Sequence, residues 1–111
     1  MAGKVSERVR VQHAALDLDP LIHERARLAI VSALGSQGEL SFTELKGLTG
    51  TTDGNLSTHT TKLEQAGYIA AAKGMFSGRS KTTYTITGAG HRALLAYLTS
   101  LERLLGEVKG S

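Results

Sequence analysis

Residues 51–68 read TTDGNLSTHTTKLEQAGY. Leu56, Thr60 and Leu63 follow one another at steps of four and three, the spacing of one helical face, and the run stops at Gly67. Thr51 or Thr52 can cap the start, and Asp53 suits the positive end of the helix dipole. Off the apolar stripe lie Asn55, Ser57, Thr58, Thr61 and Lys62, all polar and mostly small. A helix so poor in strong helix formers gains little from propensity, so its polar surface calls for a reason.

The flanks supply a context. Upstream, SQGELSFTELKGLTG (36–50) holds Ser41 and Glu44 at capping-box spacing, which predicts a short helix from Phe42 to about Thr49. Leu40 to Phe42 can add a very short strand before it, and Phe42, Leu45 and Leu48 are expected to face the core. Further back, DPLIHERARLAIVSALG (19–35) predicts a helix capped by Asp19, with Pro20 in its first turn and Gly35 as its stop. Its expected apolar stripe is Ile22, Ala26, Ala29, Ile30 and Ala33, with His23, Glu24, Arg25 and Arg27 turned outward.

Downstream the period changes to two. YIAAAKG, a glycine turn within MFSGRS, and the alternating KTTYTI predict a β-hairpin over residues 68–86. Thr87 then caps a final helix, GAGHRALLAYLTSLERLLGEVK. Residues 1–18 are read as an N-terminal extension, either one amphipathic helix built on Val5, Val9 and Leu16 or unstructured. Residues 19–111 are read as one domain.

A chain of 111 residues is long enough to bury one core. Cysteine is absent, which excludes disulfides and thiol chemistry, and points to an intracellular protein. No apolar run has membrane-spanning length and the first residues lack a signal-peptide core, so a cytoplasmic location without membrane attachment is expected. The net charge is +3, and between Glu64 and Glu102 there is no acidic residue while Lys73, Arg79, Lys81 and Arg92 fall inside that interval. Uncompensated positive charge attracts polyanions, nucleic acid foremost.

Two short helices across a tight turn, then a hairpin with a basic tip, describe a winged helix-turn-helix, an α+β fold that is mainly α. The polar helix then has its reason: small hydroxyl and amide groups let it enter a major groove about 12 Å wide and bond to base edges or phosphates. Amide N–H groups near Thr52, Asp53 and Gly54 suit a phosphate.

At these residues the sequence resembles the compact winged-helix transcriptional regulators related to the MarR and ArsR groups. The resemblance runs from Asp19 to Leu105. It is carried by L-S-F-x-E-L at Leu40 to Leu45, T-D-G-N-L-S-x-H at Thr52 to His59, L-E-x-A-G-Y at Leu63 to Tyr68, and T-x-x-G at Thr87 to Gly90. It implies a recognition helix over residues 52–66 and a wing over 75–81, with Ser77, Gly78, Arg79 and Lys81 reaching a minor groove or backbone. His59 matches a family position near the DNA-facing end of that helix, and a packing role is the competing reading. Relatives often carry a basic residue at the position of Thr58 and Leu-Lys at Thr60-Thr61, so non-specific affinity should rest on Lys62, Arg79 and Lys81.

The last helix carries Leu94, Leu98, Leu101, Leu105 and Val108 in a heptad seam. The seam either packs on the chain's own first helix or, as regulators of the resembled kind imply, is shared with a second copy along residues 87–108. The expected function is sequence-specific binding of double-stranded DNA by a homodimer that regulates transcription. The alternatives are a winged-helix module that binds another protein, and a binder of RNA or single strands, for which Phe76 and Tyr84 are too few as a stacking platform. No catalytic constellation or nucleotide-binding loop is visible, and Gly88-Ala89-Gly90 lacks the flanking elements of one. His13, His23, His59 and His91 are too far apart for a local metal site, so neither enzyme activity, cofactor nor metal is expected.

Overall fold

A computed structural model describes residues 14–110. The reading of Val5 and Val9, and of residues 1–13 generally, lies outside the described residues. A single 3-10 turn at Ala14–Asp17 leads into α1 (Arg25–Gln37), β1 (Leu40–Ser41), α2 (Phe42–Thr49), α3 (Asp53–Gln65), β2 (Ile69–Phe76), β3 (Arg79–Ile86) and α4 (Gly88–Lys109). The strands form one antiparallel sheet in the order β1-β3-β2, with Leu40 opposite Tyr84 and Ile69 opposite Ile86. This is the winged-helix architecture.

The core is set where α1 meets α2, α3 and β3. Ile22, Ile30, Val31, Leu34, Leu45, Leu56 and Leu63 are its most deeply buried side chains. Each contributes roughly 1.5–3 kcal/mol by leaving water. Leu18, Leu40, Ile69, Tyr84, Leu94 and Tyr97 complete it. Thr60 is buried between Leu56 and Leu63 on the inner face of α3, and its hydroxyl donates to the Ser57 carbonyl at 3.2 Å, so no polar group is left unpaired there.

Local signals appear where expected. The capping box closes in both directions, with Glu44 N–H donating to Ser41 Oγ at 3.1 Å and Ser41 N–H to Glu44 Oε1 at 2.9 Å. Thr52 caps α3 by accepting from Asn55 N–H at 3.2 Å. At the other end Gly67, at φ 79°, lets its own N–H reach the Glu64 carbonyl and Tyr68 N–H reach Leu63, the pair of bonds that closes a Schellman motif.

The start of α1 departs from expectation. Asp19 does accept from Leu21 N–H at 2.8 Å, but the turn it opens stops after Glu24 and the helix begins at Arg25, capped by Glu24. Two long-range demands and one local bond break it. Ile22 is drawn fully into the core, Tyr68 Oη donates to Asp19 Oδ2 at 2.5 Å, and Arg27 Nε donates to the Leu21 carbonyl at 2.6 Å. Arg27, expected outside, is therefore half-buried. At the far end α1 runs through Gly35 and stops at Gly38, whose φ of 86° takes the chain out of the helix. The buried face is Ile30, Val31, Ala33 and Leu34, with Ala26 and Ala29 only half-buried. Leu45 is buried and Phe42 packs partly against the core as expected, whereas Leu48, expected in the core, is exposed on α2.

Candidate nucleic-acid interface

Three surfaces stand out: the outer face of α3, the hairpin tip and the outer face of α4. Thr52 at the cap of α3, and Asp53, Gly54, Asn55, Ser57, Thr58, Thr61 and Lys62 along it, are all exposed. Thr58 Oγ1 donates to the Gly54 carbonyl at 3.0 Å, which leaves its lone pairs facing solvent as acceptors. A tight turn holds α2 against α3: Gly50 adopts φ 65°, and Thr49 and Thr51 hydroxyls meet at 2.9 Å. Lys46 on α2 pairs with Asp53 at 2.7 Å on the surface. The Asp53 carboxylate opposes a phosphate at that helix start, and Lys46 offsets it.

His59 is the exception on α3. Its Nδ1 lies 3.1 Å from Arg27 Nη1 and 3.8 Å from Glu24 Oε1, so the ring is turned toward α1 and away from the exposed polar face. It ties the angle of α3 to the cap of α1. Neither partner was legible in the sequence, where Glu24 and Arg27 sit on what looks like an outer face.

Burial alone would raise the Glu24 carboxyl. Hydrogen bonds from Arg27 and Ala26 N–H outweigh it, with help from the charges of His59 and Arg27, and hold it below its ordinary 4.5. A carboxylate whose folded value is depressed stabilises the fold above its unfolded value and loses that contribution as pH falls through the folded one. Glu24→Ala should cost about 1 kcal/mol at neutral pH, as loss of an N-cap does. The difference from wild type in urea midpoint should shrink as pH falls below 4.5. A difference that stays constant across that range would remove the carboxylate from the account.

The hairpin turns through Ser77 and Gly78, at φ 52° and 77°. Two consecutive positive values make the tight two-residue turn whose twist matches the strands, and Gly78 takes its place without strain. Arg79 opposite Phe76 and Lys81 opposite Gly74 are exposed beside the turn. Lys81 Nζ lies 5.0 Å from the centre of the Phe76 ring. Met75 and Phe76 are both exposed, a feature the charge pattern did not signal.

On α4 the leucine seam is split. Leu94 is buried and Leu101 packs partly against the core, whereas Leu98, Leu105 and Val108 are 41%, 56% and 80% exposed and Leu95 is exposed beside them. His23 Nδ1 and Tyr97 Oη, 2.7 Å apart, help fix α4 against the segment before α1. Leu16, on the 3-10 turn that packs against α4, is exposed too. Among the described residues no helix is long and apolar enough to cross a membrane.

Comparison with known proteins agrees with this geometry. The chain is 35% identical over 78 residues to the uncharacterized protein MJ0432 of Methanocaldococcus jannaschii, covering 70% of this chain and 85% of that one. A transcriptional regulator homologue of Pyrococcus horikoshii superposes with a TM-score of 0.71 at 24% identity, over 80% of this chain and 88% of the other. PadR of Bacillus subtilis, solved in complex with operator DNA, superposes with a TM-score of 0.58 at 22% identity, over 65% of this chain and 46% of PadR. The family model described as a winged helix DNA-binding domain matches residues 26–105, from the first turn of α1 to the last turns of α4, and the chain belongs to that family.

Proposed function

We infer that this protein is a transcriptional regulator that binds a specific site in double-stranded DNA as a homodimer, with α3 in the major groove and the hairpin on the adjacent minor groove or backbone. The observation that carries the reading is the outer face of α3. From Asn55 to Lys62 its exposed groups are hydroxyls, one amide and one ammonium, with no bulky side chain to keep the helix out of a groove; the carboxylates of Asp53, paired with Lys46, and Glu64 lie toward its two ends. Lys62, Arg79 and Lys81 supply the phosphate contacts, and the amides at Thr52 to Gly54 add a helix N-terminus. His59 acts through α3 as a positioning residue. The exposed leucines of α4 supply the contact with a second copy.

Fluorescence anisotropy against genomic duplex fragments, the chain's own upstream region among them, at two salt concentrations tests this directly. Tight binding to a few fragments that weakens steeply with salt is the expected result. Salt-independent binding, or none at low salt, favours a protein partner instead. Changing Arg79 and Lys81 together to Ala should weaken binding to every sequence and flatten the salt slope by about one to two, because each neutralised phosphate contributes close to one. An unchanged slope would take the hairpin out of the interface.

A further inference from the structure

The hairpin tip holds two large apolar side chains in water. Met75 and Phe76 are 72% and 66% exposed, and as sequence neighbours on β2 they project from opposite faces of the ribbon. Only Ile69 on that strand is buried, so the domain's own core has no use for either. Polar groups surround them: Arg79 faces Phe76 across the ladder, Ser80 faces Met75, and Lys81 lies over the Phe76 ring. Glu39 and Glu44 flank the grooves beside the tip, and the hairpin itself carries no acid.

A partner that suits this tip presents apolar flat surface flanked by negative charge. Stacked base pairs between two phosphate strands have that composition. The hairpin closes in a two-residue turn beside Phe76, so what the minor groove, about 6 Å wide, has to admit is that one ring and not the whole ribbon. Phenylalanine and methionine are among the residues that enter between base steps from that groove and kink the duplex. Two side chains alone make a poor membrane anchor, which needs a broad apolar face.

We propose that Phe76 is a wedge that unstacks a base step in the minor groove while Arg79 and Lys81, on the same face of the ribbon, hold the flanking phosphates. Lys81 leaves the ring on its flexible stem to reach a phosphate as the ring enters the stack. The preferred duplex then carries a pyrimidine–purine step under each hairpin, because such steps unstack and kink most readily. The inference rests on the reading of the chain as a duplex binder.

The test uses the full chain and three probes of one fixed sequence: a duplex with a central TA step, the same duplex with a single mismatch at that step, and a version with 2-aminopurine replacing the adenine. A mismatched base costs less to extrude, so wild type should prefer the mismatched duplex by about tenfold. Saturating protein should also raise 2-aminopurine emission. Met75→Ser with Phe76→Ser should abolish both effects and weaken binding of the intact duplex while its salt slope, set by Lys62, Arg79 and Lys81, stays that of wild type, and Phe76→Leu should retain both effects. Both positions are exposed, so the variants keep the fold, which far-UV circular dichroism checks.

Equal affinity for matched and mismatched duplex with silent 2-aminopurine, but salt-dependent binding intact, overturns the wedge and leaves the DNA reading standing. No binding to any probe at low salt overturns both. Flotation of wild type, but not of the double Ser variant, with phosphatidylserine vesicles and no 2-aminopurine response would assign the tip to a lipid surface and overturn the wedge.

Discussion

Gly90→Ala will destabilise the protein severely, although the same change in an open stretch of helix is favourable. A Cβ built at Gly90 would lie 2.0 Å from the Tyr68 carbonyl oxygen, 2.8 Å from its carbon and 3.0 Å from Ile86 Cγ1. The first two are backbone atoms and cannot swing aside as a flexible side chain would. The site is held from several directions. Thr87 N–H donates to the same Tyr68 carbonyl at 3.0 Å, Thr87 Oγ1 donates to the Gly67 carbonyl at 2.6 Å, and Gly90 N–H donates to Thr87 Oγ1 at 3.0 Å. Tyr68 is itself anchored through its hydroxyl to Asp19. Relief of the clash therefore means moving α4 off the end of α3. An overpacking cost at the top of the usual range, about 3 kcal/mol, less about 1 kcal/mol of helix-propensity gain, leaves a net loss of about 2 kcal/mol. For a domain of this size that lowers the thermal midpoint by roughly 8–16 °C.

Gly106→Ala is the control, on the same helix. A Cβ there meets nothing within 4 Å, so the gain of up to about 1 kcal/mol from propensity stands alone. Calorimetry on the two variants should give shifts of opposite sign. Shifts of the same sign would mean that the close approach at Gly90 does not govern how α4 is seated.

The T-x-x-G motif illustrates what a sequence carries and what it hides. Thr87 as a cap is a local relation between a hydroxyl and an amide three residues on, and it is readable without any knowledge of the fold. The same holds for the Ser41–Glu44 box, for Thr52, and for Gly67 and the hairpin turn at Ser77-Gly78. The reason for glycine at position 90 is different, since it lies in the carbonyl of Tyr68, which arrives from another element. The false start of α1 has the same origin. Asp19-Pro20 is a sound local cap, and it is overruled because Ile22 is taken into the core and Asp19 by the Tyr68 hydroxyl.

The candidate site divides along the same line. Exposure of Asn55, Ser57, Thr58, Thr61 and Lys62 follows from the buried stripe of α3, which periodicity reveals. The inward turn of His59 depends on Arg27 and Glu24, more than thirty positions away in the chain, and no spacing rule connects them. Periodicity also treats the seam on α4 as one surface. Packing divides it, because Tyr97 and Leu104 share the inner side with Leu94 and Leu101 and rotate the remaining leucines outward.

That division decides how a second copy is best tested. Leu98→Glu with Leu105→Glu should convert a homodimer to monomers, seen by sedimentation, without unfolding the chain, since both side chains are exposed. Leu101→Glu is a poorer choice, because Leu101 packs partly on the core and its loss mixes folding with association. A stable interface needs about 800 Å² from each partner, more than these two residues provide, so Leu95, Val108 and Leu16 are expected to share it. Two copies joined through α4 would set their α3 helices to read half-sites about 34 Å apart, one turn of duplex. Each half then binds at the effective concentration set by the other, and losing that advantage should weaken DNA binding by a factor of roughly 10² to 10⁴. The monomeric variant should retain weak, salt-sensitive binding through Lys62, Arg79 and Lys81, which separates loss of pairing from loss of the interface itself. A dimer that survives both glutamates would place the contact on another surface. Monomers that bind their site as tightly as wild type would mean that a single winged helix suffices for recognition, and that the exposed leucines of α4 serve a different partner.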